Sequence, residues 1–168
     1  VGSAVLSGGQ LCRGRGGRPL GLGHVTICAE GRPCRCGGRG CLELYVRSPE
    51  VLKKLCQRTG LEGSYADFCR MAGSEEVDQV FRETADFLAA GIAGALNLLN
   101  SELVLLGGDG LCWTDRRVAD LESAIARLRP ADGGGRVPVR KPRFLGDGAL
   151  LGAACGGIAR IFSGELPL

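Results

Sequence analysis

Between His24 and Cys41 the chain reads HVTICAEGRPCRCGGRGC. A stretch so rich in glycine, proline and arginine offers too little apolar surface to offset the entropy of ordering its backbone. What it offers instead is one imidazole and three thiols, from His24, Cys34, Cys36 and Cys41. A zinc ion takes four nitrogen and sulfur ligands at tetrahedral corners, and three thiolates with one imidazole make a closed structural set. Gly37, Gly38 and Gly40 allow the backbone to wrap an ion, whose binding would then supply folding free energy to the loop. With four ligands already present, a catalytic zinc with an open position is disfavoured. Two alternatives stay open on spacing alone: three reduced surface thiols beside a core histidine, or Cys28 replacing one ligand.

The remaining cysteines fit the same picture. Nine is an odd number and suits a disulfide framework poorly. Six of the nine lie scattered in apolar or mixed segments, as small buried hydrophobes do. A reducing, cytoplasmic setting is therefore expected. A net charge of +3, from 21 basic and 18 acidic residues, is too small to argue for nucleic-acid binding by bulk electrostatics. No apolar run is long enough to span a membrane, and no segment reads as a signal peptide. With 168 residues, 45% of them hydrophobic, the chain can bury a real core as one domain.

Periodicity places the elements. Val1 to Leu6, the Gly8-Gly9 turn and Gln10 to Arg13 predict a hairpin, and Val25 with Ile27 a third short strand. Cys41 to Val46 predicts a short helix, and Ser48-Pro49-Glu50 a second one capped by Ser48. Ser64 to Met71 predicts another. Ser74 to Asn100 is the strongest helical segment, with Val77, Val80, Phe81, Ala85, Leu88, Ile92 and Leu96 along one face. Leu103 to Leu106 predicts a buried strand ending in the turn Gly107-Gly108. A helix over Asp115 to Leu128, a loop over Pro130 to Gly135, a strand over Val137 to Val139 and a closing helix over Gly148 to Phe162 complete the chain. The class is α/β, a mixed sheet with packed helices.

The run from His24 to Glu43 resembles the signature of the ROK family, which contains bacterial sugar kinases and sugar-responsive transcriptional repressors. His24, Cys34, Cys36 and Cys41 match at full spacing, as do Gly23, Gly31, Gly37, Gly40, Leu42 and Glu43. VGSAVLSGGQLCRG resembles the hairpin opening the family's C-terminal lobe, LNLLNSELVLLGGDG its strand-to-turn near the nucleotide, and LGDGALLGAACGGIARIF its last helix. The resemblance implies an actin-like, ribonuclease H-like fold, with residues 1–168 as most of the second lobe and an inserted zinc loop over 24–43. The first-lobe DxGxT-type phosphate motif and the Asp-Asn pair that carries the family's catalytic base do not occur in the chain.

Residue by residue, the resemblance implies that His24 ligates zinc and faces the sugar. Glu43 would hydrogen-bond sugar hydroxyls, and Cys34, Cys36 and Cys41 would complete the metal set. Gly107 and Gly108 match the adenosine-side turn. The chain departs from the family at Gly21, where a sugar-binding Glu is usual, and at Ala4, where the phosphate loop usually has Gly. Beside these roles, Glu43 also suits the first turn of a helix electrostatically, and Gly107-Gly108 also suits any strand end. Arg13, Arg15 and Arg18 suit an anion site or simply a solvated loop.

Two functions follow as expectations. The first is the sugar-sensing module of a ROK-type transcriptional regulator, which would reach DNA only through an upstream segment. The second is the C-terminal lobe of a ROK sugar kinase, a glucokinase-like enzyme using ATP and magnesium. The isolated chain, lacking the family's base, is expected to transfer no phosphoryl group. The resemblance further implies a small-molecule sugar as ligand and a homo-oligomer. A chain beginning within a lobe is also expected to expose apolar surface.

Overall fold

In a computed structural model of the chain, residues 1–130, 135–144 and 148–162 are described. The loop expected over Pro130 to Gly135 and the start of the LGDGALL motif lie partly outside them.

The amphipathic segments fold as helices close to their expected bounds. α1 spans Glu43–Val46, α2 Ser48–Thr59, α3 Tyr65–Arg70, α4 Glu75–Leu99, α5 Asp115–Arg127 and α6 Gly148–Phe162. Local chemistry starts several of them. Ser64 and Asp67 form a reciprocal capping box on α3, and the hydroxyls of Ser74 and Thr114 accept from the third backbone N–H of α4 and α5. Helix α2 differs from expectation. Its cap position is Arg47, and Ser48 is already helical with its hydroxyl donating to the Asp109 carboxylate. Asn100, in the left-handed region at φ 48°, stops α4.

The core lies where α4 packs against α2 and α5. Val51, Leu55, Phe68, Val77, Val80, Phe81, Ala89, Leu121 and Ile125 are buried there. Phe81 is its hub. The Trp113 ring stands edge-on to it at 5.8 Å, the Tyr65 ring lies at 5.9 Å, and the Arg117 guanidinium caps it at 3.8 Å. Arg117 is buried yet satisfied. It donates to the carbonyls of Phe68, Cys69 and Met71 and pairs with Asp78 at 3.1 Å. Gly91 of α4 permits a second close approach, since a Cβ there would stand 2.6 Å from a methyl of the buried Leu42.

Both antiparallel and parallel pairing occur, as two separate ladders among the described residues. β1 (Leu6–Ser7) pairs antiparallel with β2 (Gln10–Leu11), and β3 (Val104–Leu105) pairs parallel with β4 (Val139–Arg140). The third strand expected at Val25 and Ile27 is instead a 3₁₀ turn, Leu22–His24, followed by an isolated bridge from Thr26 to Cys41. The backbone there is committed to the glycine-rich loop rather than to the hairpin. Apolar side chains stand in solvent along the ladders, after β4 and on α6, with Leu6, Leu105, Phe144, Leu150, Ile158 and Phe162 all more than half exposed. Among the described residues, no helix is long and apolar enough to cross a membrane.

Candidate functional site

The 3₁₀ turn delivers His24 at its last position, held by its own N–H to the Gly21 carbonyl at 2.9 Å. The chain then doubles back on itself. Ile27 N–H reaches the Gly40 carbonyl, Leu42 N–H the Val25 carbonyl and Gly40 N–H the Arg32 carbonyl, each within 2.9 Å. Inside this frame Cys34 N–H bonds the Gly38 carbonyl at 2.8 Å, closing a tight turn around Cys36. Gly40 is what lets the arms meet. It sits at φ +63°, and a Cβ on it would fall 1.6 Å from the Cys28 carbonyl oxygen.

The result brings together the four side chains that the sequence singles out. One ligand atom each from His24, Cys34, Cys36 and Cys41 lies within 4.8 Å of all the others. The Cys36 and Cys41 sulfurs are 3.6 Å apart, and Cys34 Sγ is 3.9 Å from His24 Nδ1. A tetrahedral zinc with bonds of about 2.3 Å to sulfur and about 2.0 Å to nitrogen requires edges of roughly 3.5–3.8 Å. The donor set and its spacing therefore fit such an ion. Cys28 is exposed and stays outside the group. Burial pushes the Cys41 thiol up to about 12, with the neighbouring thiols adding to it. The Gly38 backbone holds the Cys36 thiol down.

Glu43 opens α1 directly beside this cluster. It is 3% exposed, and its Oε1 accepts from the Cys34 thiol at 3.9 Å. Burial alone would raise its pKa. The charges of His24 and Arg35 act against burial and favour the ionised form. Arg35, with Nε 3.6 Å from Glu43, is a neighbour that sequence reasoning missed, since an arginine between two metal-spaced cysteines carries no signal of its own. Gly21 is exposed, with open space where a side chain would stand. The nearby hydroxyl of Ser3 ties down Leu20 and Leu22 instead, donating to one and accepting from the other.

Gly107 and Gly108 lie apart from the cluster, on the exposed turn after β3. Asp109 follows them and accepts from Ser48. Arg13, Arg15 and Arg18 are all exposed, and Arg13 donates to the Gly17 carbonyl.

A family model described as the ROK family matches residues 1–156. The chain belongs to the ROK family. It is similar to ROK proteins of both kinds. Kanosamine kinase of Amycolatopsis mediterranei is 27% identical over 99% of the chain and 55% of its own length. The xylose repressor of Bacillus subtilis is 32% identical over 63% of the chain and 28% of its own length. A crystal structure of a ROK family transcriptional regulator, a homologue of the E. coli MLC protein, superposes with a TM-score of 0.79 at 27% identity, over 91% of the chain and 42% of that protein. The chain thus spans about half the kinase and less than a third of the repressor.

Proposed function

We propose that this ROK chain is the sugar-sensing, zinc-stabilised second lobe of a transcriptional regulator. On this reading His24, Cys34, Cys36 and Cys41 hold the ion, and His24 and Glu43 meet the sugar. The observation that carries it is the Glu43 carboxylate, buried against the His24–Cys34 edge of the cluster with Arg35 Nε 3.6 Å away. An ionised, fixed carboxylate is a strong acceptor for a pair of sugar hydroxyls. The zinc supplies no chemistry beyond rigidity. It fixes the loop that presents His24 and starts α1 at Glu43.

Two features support a regulator over a kinase. Gly21 gives the sugar no second carboxylate, and Asp109, tied to Ser48, puts a carboxylate on the turn that matches the adenosine side of the family's kinases. The kinase reading, with Gly107 and Gly108 on the adenosine side and ATP with magnesium as cosubstrate, is supported by the match to kanosamine kinase over nearly the whole chain. The exposed apolar residues of the ladders and α6 support a neighbouring lobe or a second copy packing there. DNA would be reached through a further segment.

Calorimetric titration of the zinc-loaded protein with a panel of hexoses and pentoses tests the reading. One sugar is expected to bind, and Glu43→Gln to weaken it by about 10- to 150-fold, the loss of one or two charged hydrogen bonds. Glu43→Gln binding as tightly as the parent overturns the assignment. Phosphorylation of that sugar by the full-length protein with ATP selects the kinase. Metal analysis is expected to return one zinc per chain, and chelation to abolish sugar binding while α4 and α5 stay folded, because their core does not include the loop.

A further inference from the structure

Outside the His24 cluster, two further thiols sit on segments that pack together, Cys69 on α3 and Cys112 on the turn after β3. Cys69 is fully buried on α3, and Cys112 is exposed at the end of the 3₁₀ turn Gly108–Cys112. The two segments are also bolted together on either side of the thiols. Trp113 Nε1 donates to the Tyr65 hydroxyl at 2.7 Å, and Arg117 Nη1 donates to the Cys69 carbonyl at 2.7 Å. The carriers are thus held in fixed relation, far apart in sequence but adjacent in space, with one sulfur facing water and the other facing the core.

We propose that Cys69 and Cys112 form a reversible dithiol–disulfide couple that ties α3 to the turn following β3, with a peroxide as oxidant. The exposure of Cys112 makes it the attacking thiol. Its thiolate sulfur forms a bond to one peroxide oxygen as the O–O bond breaks, and the departing hydroxide takes up a proton and leaves as water. Cys112 is then a sulfenic acid. The Cys69 sulfur attacks the Cys112 sulfur, forming S–S and breaking S–O, and the hydroxide released carries off the Cys69 proton as a second water. Two thiols have given two electrons to one hydrogen peroxide. Cys69 suits the resolving role and not the first one. Burial, with Cys112 adding to it, pushes its thiol up to about 11, so it stays protonated until a neighbouring sulfur is activated. An external dithiol restores both thiols.

The bond would pin the turn that carries Gly107 and Gly108, so oxidation would report on the same loop that a nucleotide or its vestige faces. The couple itself does not depend on that reading.

Peptide mapping tests it directly. The full chain is treated with hydrogen peroxide, alkylated under denaturing conditions and digested with trypsin. Cys69 is the only cysteine in the fragment from Thr59 to Arg70, and Cys112 the only one in the fragment from Glu83 to Arg116. The expected product is these two fragments joined with the loss of two hydrogens, and dithiothreitol is expected to release them. Cys112→Ser, an exposed change that leaves the core intact, is expected to leave Cys69 as a free thiol after the same treatment. Cys112 advancing to sulfinic or sulfonic acid while Cys69 remains a thiol overturns the proposal. So does Cys112 joined to any other cysteine, or a cross-link that forms only in denaturant.

Discussion

Replacing Arg117 with methionine keeps most of the side-chain volume and removes the guanidinium from the centre of the molecule. The structure sets the size of the effect. Helix α3 is six residues long, so its last carbonyls have few intrahelical partners. Arg117 Nη1 satisfies Cys69 at 2.7 Å and Phe68 at 3.4 Å, and Nη2 satisfies Met71 at 3.3 Å. A charged hydrogen bond to a buried carbonyl is worth about 1.5–3 kcal/mol, and orphaning its acceptor carries the full desolvation cost. The guanidinium face on Phe81 adds about 1–2 kcal/mol. Asp78, on the other hand, is 24% exposed and can rehydrate once abandoned, so its share is small. Because these contacts are not additive, the expected loss for Arg117→Met is about 3–4 kcal/mol. For a chain of this size that is a fall of about 6–16 °C in melting temperature. Urea unfolding followed by the fluorescence of Trp113, buried and edge-on to Phe81, reads it out. Asp78→Asn serves as the control and should cost less than about 1 kcal/mol. An Arg117→Met chain within about 0.5 kcal/mol of the parent, or an Asp78→Asn chain that loses as much as Arg117→Met, would refute the claim that carbonyl satisfaction is what the guanidinium provides.

The loop and the second ladder give further tests. Gly40→Ala forces a Cβ into the Cys28 carbonyl at a left-handed backbone position, so the two arms of the loop must separate. Its expected outcome is zinc content well below one per chain by metal analysis, with helicity by circular dichroism unchanged. Glu122 accepts from the Val139 N–H and pairs with Arg136 and Arg140, which together outweigh burial and hold its carboxyl below the ordinary value of 4.5. A depressed carboxyl contributes stability that is fully present above the ordinary value and is lost as pH falls through the lower, folded one. Stability measured from pH 6 down to pH 3 is expected to drop below about pH 4.5 in the parent and to drop less steeply in Glu122→Gln. Equal slopes would mean that the ion pairs are unformed in solution.

The helices and the four-residue cluster were legible in the sequence because their causes are local. Apolar spacing in α4, the cap at Ser74 and ligand spacing in the loop each depend on residues close together along the chain, and so do the caps at Ser64 and Thr114 that the structure adds. The third strand was misread for the complementary reason. Val25 and Ile27 have the alternation of a strand, but a strand exists only if a partner ladder reaches it, and the glycine-rich loop claims those backbone groups first. Ser48 shows the same competition on a smaller scale. Its hydroxyl, read as a cap, is drawn off by Asp109 from a distant turn.

What was not legible is what long-range contact creates. Nothing near Arg117 in sequence announces a guanidinium that closes α3, and a neighbouring Arg116 is exposed. Gly91 looks like a weak point in a long helix until Leu42, the residue before Glu43, is seen packed against it. That contact has a functional edge. Leu42 is the hinge between the cluster and α1, so its seat under α4 sets where Glu43 begins its helix and hence where the carboxylate stands relative to His24. The metal-spaced cysteines therefore account for the loop's shape, while its position on the lobe is decided by a glycine about fifty residues downstream. A larger side chain at Gly91 would displace Glu43 without touching His24 or the three cysteines of the cluster.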